Sequence, residues 1–132
     1  MTDEHDPHTL TSLELEIMRA LWDSAPATVR QIQEHPVVSS RELAYNTVQT
    51  MLNILVRKKK ARRHREGKAF LYKPILSRGQ AARAALGDVV DRLFEGNAER
   101  LVLSLVESRR LSPESLAELQ ALVEGEVTDA DD

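Results

Sequence analysis

A chain of 132 residues with 42% hydrophobic side chains suffices for one domain, or a small domain with an appendage; only 4% are aromatic, so aliphatic residues must build the core. Zero cysteines exclude disulfides, thiolate metal sites and a cysteine nucleophile. The net charge of −3 conceals a segregation: residues 1 to 40 carry two basic and seven acidic side chains, 41 to 73 carry ten and two, and 74 to 132 carry six and twelve. An anionic partner is therefore expected at the middle segment alone.

No apolar run approaches the roughly 18 to 20 residues needed to cross a bilayer. The opening MTDEHDPH is acidic where a secretory signal is basic and then apolar. The reading is a cytoplasmic protein with no membrane insertion. Residues 1–9 lack periodicity and are expected to be a disordered tail. Thr11-Ser-Leu-Glu14 fits a capping box and opens a helix to about Trp22. That helix has two apolar stripes, Leu13, Ile17, Ala20 and Leu21 on one side and Leu15, Met18 and Trp22 on the other. A second, short helix runs from about Thr28 to Glu34, capped by Thr28 and burying Val29 and Ile32. A loop through Pro36 and Ser39-Ser40 leads to a third helix, about Ala44 to Lys59, with Ala44, Val48, Met51, Leu52 and Leu55 at the spacing of a buried stripe.

The period then changes to two. Ala61 to Arg65 and Ala69 to Lys73 read as strands joined by a turn at Gly67, with Phe70 and Tyr72 on one face. Pro74 ends the second strand, and Ser77 caps a long helix to about Glu95, roughly 28 Å at 1.5 Å per residue. Ala82, Leu86, Val89 and Leu93 repeat along it at the 4-3-4 spacing of helix packing. Asn97 and Ser112-Pro113 cap two further helices. Leu101, Val102, Leu105 and Val106 are expected to be buried in one, and Leu116, Leu119, Leu122 and Val123 in the other. From Thr128 an acidic tail is expected. The fold class is mainly α with a small β-hairpin wing: a winged helix-turn-helix over 10–75, a three-helix domain over 76–127 and a tail over 128–132. The last three helices have too little chain to cover their apolar stripes, so a homodimer is expected, joined through Leu86, Val89, Leu93, Leu101, Leu105, Leu116, Leu119 and Val123.

Three constellations carry chemistry. Asn46, Thr50, Asn53 and Arg57 sit almost opposite the buried stripe of the third helix, with Thr47 and Gln49 on its flanks; of these, Asn46, Thr47, Thr50 and Asn53 offer short hydrogen-bonding side chains, the kind that read base edges in a major groove. Poor helix formers at these positions argue against an ordinary solvated face. Arg57 to Arg65 holds seven positive charges in nine residues, a density suited to phosphates. Phosphate contacts are expected from Tyr45, Gln49, Arg57, Lys58, Arg62, Arg63, Arg65 and Lys68. The hairpin tip, Arg65 to Lys68, is expected along the minor groove or backbone. Enzymatic signals are absent: His5, His8, His35 and His64 lack metal-ligand spacing and read as stray surface histidines, and Gly87, Gly96 and Gly125 are isolated rather than in a phosphate loop. No catalytic residue, metal site or cofactor is expected. The alternative reading is a winged-helix protein-protein interaction module whose basic patch meets an acidic protein surface, without operator specificity.

Thr11 to Trp22 (TSLELEIMRALW), Leu43 to Val56 (LAYNTVQTMLNILV), Gly67 to Pro74 (GKAFLYKP) and Phe94-Glu-Gly96 followed by LVLSLVES resemble the BlaI/MecI/CopY family of bacterial repressors, over roughly residues 10 to 125. The resemblance implies a winged-helix N-terminal domain, a helical C-terminal dimerisation domain and repression at a two-fold double-stranded DNA operator. By position, Asn46, Thr47 and Thr50 match the family's reading-helix contacts. Leu101 to Val106 matches the helix cut by a membrane sensor metalloprotease, the equivalent bond being Ser104 to Leu105. Four features depart from the family pattern. Ile54 replaces an arginine; Lys59, Lys60 and Ala61 replace a glycine and two aliphatic residues; Ser104 and Leu105 replace an asparagine and a phenylalanine; and the cysteine cluster of the copper-responsive branch is missing.

Overall fold

The computed structural model describes residues 8–130, with side chains described as far as 126. Residues 1–7 of the expected N-terminal tail, and 131–132 of the acidic one, lie outside the described residues. The chain divides into two compact units, 1–88 and 89–132. This division falls later than the expected boundary at 75, because the first turns of the long helix α5 (Arg78–Leu93) bury Ala81 in the core of the first unit.

In the first unit, α1 (Ser12–Ser24) starts at the capping box: the Glu14 amide donates to Thr11 Oγ1 at 3.2 Å, and the Thr11 amide donates to Glu14 Oε1 at 2.9 Å. A second box, Thr28 with Gln31, opens α2 (Val29–Glu34). The segment expected to be a loop contains a one-turn helix, α3 (Pro36–Ser39). Proline at its first position presets φ, His35 Nδ1 accepts from the Val37 amide at 3.2 Å, and Val38 is buried. His35 is thus no stray surface group, since its Nε2 also lies 3.0 Å from Asp23 Oδ2. The reading helix expected from the sequence is α4 (Tyr45–Arg57), and Val48, Leu52 and Leu55 of its apolar stripe are fully buried.

Two antiparallel strands follow, β1 (Ala61–Glu66) and β2 (Ala69–Pro74), in register from Ala61 opposite Pro74 to Glu66 opposite Ala69. Gly67, with φ of +62°, occupies the first central position of the two-residue turn, where a II′-type hairpin needs positive φ. Ala27 exchanges two backbone hydrogen bonds with Tyr72, which ties the hairpin to the start of α2. The core joins Ile17, Met18 and Leu21 of α1 to Ile32, Val38, Leu52, Leu55 and Tyr72, each such burial contributing about 1.5–3 kcal/mol. Trp22 seals one side by donating its indole N–H to the Leu76 carbonyl at 2.9 Å. Leu15, expected in a buried stripe, is 41% exposed, and the inward position beside it belongs to Glu14.

The second unit holds the end of α5, α6 (Ala98–Glu107, capped by Asn97) and α7 (Pro113–Ala130). Helix continues to Ala130, past the expected start of the acidic tail at Thr128. No residue of α6 is buried, and on α7 Leu116, Leu119, Leu122 and Val123 are all exposed. The expected burial of these two stripes therefore does not occur within one chain. Two amphipathic helices and a helix end have too little surface to cover every apolar side chain they carry.

Candidate nucleic-acid interface

The packing of α4 decides what it presents. With Val48, Leu52 and Leu55 facing the core, Asn46, Thr47 and Thr50 are exposed, and Gln49 is half-buried on the flank. The helix starts at Ala44 without a side-chain cap. Beside its first turn, Arg30 of α2 lies 5.9 Å from the ring of Tyr45. No pattern in the sequence marks Arg30 as part of this surface, because only the fold brings α2 next to the start of α4.

Asn53 sits differently from the other polar residues of this face. It is half-buried, and its Oδ1 accepts from both Tyr72 Oη at 2.9 Å and Arg63 Nη1 at 2.7 Å. The expected base reader is thus engaged inside the domain, a pairing that depends on the hairpin folding back onto α4.

The basic run divides by geometry. Lys58 Nζ donates to Glu14 Oε2 at 2.9 Å, so this expected phosphate contact is held by a buried carboxylate. Burial pushes the Glu14 carboxyl up, but the Thr11 amide, the Lys58 ammonium and the nearby Lys60 charge outweigh it and hold the carboxyl below its ordinary range. Lys60 is buried and donates to the Thr9 carbonyl, while its own carbonyl accepts from the amides of Ile75 and Leu76. Lys59, just past the Lys58 C-cap of α4, adopts a φ of +63°, with the Lys60 amide closing the helix end onto the Leu55 carbonyl at 2.9 Å. The glycine of the family pattern fits such a left-handed position without strain. Lysines 58 and 60 therefore do structural work that charge counting along the sequence assigns to phosphates.

The remaining cations are exposed at Arg57, Lys59, Arg62, Arg63, Arg65 and Lys68. Alternation along the hairpin places Arg63 and Arg65 on the face of Tyr72 and Phe70, and Arg62 on the other face. Phe70 is 38% exposed, with Arg63 stacked 4.3 Å and Arg65 5.9 Å from its ring centroid. Arg62 is paired directly opposite Lys73. Like charges so placed repel, and an anion between them relieves the repulsion. At the turn, Arg65 Nε donates to the Gly67 carbonyl at 3.3 Å, leaving Lys68 at the tip.

Of the expected dimer contacts, Leu86 at the end of the first unit is exposed, as are Val89, Leu93, Leu116, Leu119 and Val123 of the second, where Leu101 and Leu105 are half-buried. Ser104 and Leu105 lie inside α6, and both carbonyls are hydrogen-bonded, that of Ser104 to the Ser108 amide at 2.9 Å and that of Leu105 to the Arg110 amide at 2.9 Å. Among the described residues no group of three histidine or acidic side chains could hold a metal ion, and no helix is long and apolar enough to cross a membrane.

Residues 10–125 match the sequence pattern of the penicillinase repressor family. The penicillinase repressor of Bacillus licheniformis is 25% identical over 115 residues, covering 87% of this chain and 89% of that protein. The transcriptional regulator BlaI of Mycobacterium tuberculosis (strain CDC 1551 / Oshkosh) is 30% identical over 116 residues, covering 87% and 83%. The solution structure of the DNA-binding domain of the repressor BlaI aligns with a TM-score of 0.49 at 24% identity, covering 58% of this chain and 92% of that one. Because the family match runs through the helix-turn-helix, the hairpin and both C-terminal helices, the chain belongs to the penicillinase repressor family.

Proposed function

We propose that the chain is a sequence-specific transcriptional repressor that binds a two-fold DNA operator as a homodimer in the cytoplasm, and is a regulator rather than an enzyme. One observation supports this most directly: a single compact unit presents the exposed Asn46, Thr47 and Thr50 of α4 beside a hairpin bearing Arg62, Arg63, Arg65 and Lys68. The short polar side chains suit base edges in the major groove, and the exposed cations suit the phosphates that flank it. Tyr45 and Gln49 lie at the margin of the helix face and serve as uncharged phosphate contacts. The apolar stripes of α5, α6 and α7 meet their counterparts in a second copy, which places two reading helices on one two-fold site. Cleavage of Ser104–Leu105 by a membrane sensor metalloprotease severs α6 and separates the two copies.

The test is a gel shift on the DNA upstream of the chain's own gene at about 150 mM salt, where weak electrostatic binding is suppressed. Preferred binding of a palindromic site over its scrambled counterpart is the expected result. Equal binding of both duplexes overturns the reading and favours a protein-binding module.

A further inference from the structure

Asn53 lies one turn beyond Thr50 on the helix face assigned to DNA, yet its side-chain oxygen is already shared by two donors. From one side comes the Tyr72 hydroxyl, on a residue that is fully buried and tied through its backbone to Ala27. The other donor is the Arg63 guanidinium, which also stacks on Phe70. Strand register explains the arrangement, for Arg63 is opposite Tyr72 and diagonal to Phe70 on the same face of the hairpin. An exposed arginine is ordinarily free to sample many rotamers. This one is held by an amide anchored to the core and by an aromatic ring.

The position of the pair along α4 decides what it can touch. Reading helices meet base edges with their N-terminal residues. Asn53 is seven residues beyond Asn46, about 10 Å along the axis at 1.5 Å per residue, close to the roughly 12 Å width of a major groove. With the helix set across the groove, a side chain that far along it would reach the sugar-phosphate backbone that bounds the groove. A planar guanidinium fork matches phosphate oxygens.

We propose that Arg63, held by Asn53 and Phe70, is a rigid phosphate clamp that sets the register of Asn46, Thr47 and Thr50 on the bases. Asn53 is then a positioning residue that touches no base, and sequence discrimination depends on it through Arg63. A phosphate contact on a mobile side chain strengthens binding to any duplex. A phosphate contact at a fixed distance from the base readers favours the duplex in which both are satisfied together. The clamp rests on the operator-binding reading above.

The full chain is tested as wild type, Asn53→Ala, Arg63→Lys and Arg63→Ala, measuring Kd for the palindromic operator and a scrambled duplex over a salt series, with a thermal melt of each. Asn53→Ala and Arg63→Lys keep every charge, so the salt slope stays at the wild-type value. Both are expected to lower the operator-to-scrambled affinity ratio about tenfold, comparable to one mismatched base pair. Arg63→Ala lowers the ratio as well and reduces the slope by about 0.9 per protomer. Arg63 is exposed, so Arg63→Lys reports on the clamp even if Asn53→Ala unfolds. A ratio preserved in Arg63→Lys overturns the clamp. A ratio preserved in Arg63→Lys but lost in Asn53→Ala would mean instead that Asn53 reads a base directly. Failure of the wild-type chain to prefer its operator instead overturns the operator reading itself.

Discussion

Glu14 uses its two carboxylate oxygens for different purposes: Oε1 closes the capping box of α1 and Oε2 holds Lys58 at the end of α4. The same side chain thus joins the start of one helix to the end of the helix that carries the candidate base readers. Its pKa lies below the ordinary value of 4.5 because the Thr11 amide and the two lysines outweigh the cost of burial. A carboxyl that is more acidic in the native state binds its proton less readily there than in the unfolded chain. Its stabilisation is therefore complete above the unfolded value and is lost as pH falls through the native one. Denaturant unfolding at about pH 7 should show Glu14→Gln less stable by about 1–3 kcal/mol, and the deficit should shrink as the solution is acidified below pH 4.5. A deficit that stays constant down to about pH 3 would show that another carboxylate governs the acid limb. Lys59 gives the opposite sign. It is held at a φ of +63°, which costs a residue with a Cβ about 1–2 kcal/mol, so Lys59→Gly should raise the unfolding free energy by about 0.5–1 kcal/mol after the entropy of glycine is subtracted. No gain in the denaturation midpoint would mean that Lys59 makes compensating contacts in the folded state.

At the scale of elements, local signals in the sequence read the helices well because their causes are local. Thr11 with Glu14, Thr28, Ser77 and Asn97 each sit where a cap was expected, and each side chain accepts a backbone amide within its own first turn. The hairpin was legible for the same reason, through alternation and a glycine in its turn. What escaped were pairings set by tertiary contact. Lys58 with Glu14 spans 44 residues, and Tyr72 with Asn53 spans 19, so no window of periodicity could show that Glu14 points inward or that Asn53 is engaged. The candidate face of α4 was legible at Asn46, Thr47 and Thr50 because burial of Val48, Leu52 and Leu55 fixes the opposite side. The helix α6 gives a prediction at this scale. A protease binds its substrate in an extended form, so the Ser104–Leu105 bond becomes accessible only when the hydrogen bonds from Ser108 and Arg110 open. Asn97→Ala removes the cap that accepts the Arg100 amide, at a cost of about 1 kcal/mol. Limited proteolysis within α6 should accelerate roughly fivefold if opening is fast relative to cleavage. An unchanged cleavage rate would place the controlling step outside this helix.

The whole molecule joins two requirements, apolar surface that needs a cover and positive charge that needs phosphate. Leu93 is 74% exposed, Leu119 47% and Val123 58%, more apolar side chain than a small folded unit ordinarily leaves in water. In the proposed dimer a second copy would cover these stripes and at the same time double the number of phosphates contacted. If each protomer engages about five phosphates, log Kd of the proposed dimer should rise with log[salt] at a slope near 9. Apart from Lys58, which is held by Glu14, and the buried Lys60, held by Thr9, six exposed cations remain from Arg57 to Lys68, enough for that number. Leu119→Glu places a charge on the exposed stripe of α7 without disturbing a buried residue. Sedimentation equilibrium at about micromolar concentration should then find a monomer where the wild type is a dimer. The same variant should bind DNA with a slope near 4.5, because one protomer releases half the counterions. A monomer that retained the full slope would show that the phosphates are all contacted by a single chain. A dimer that persisted would show that Leu119 lies outside the interface, and would direct the same substitution to Leu93 on α5.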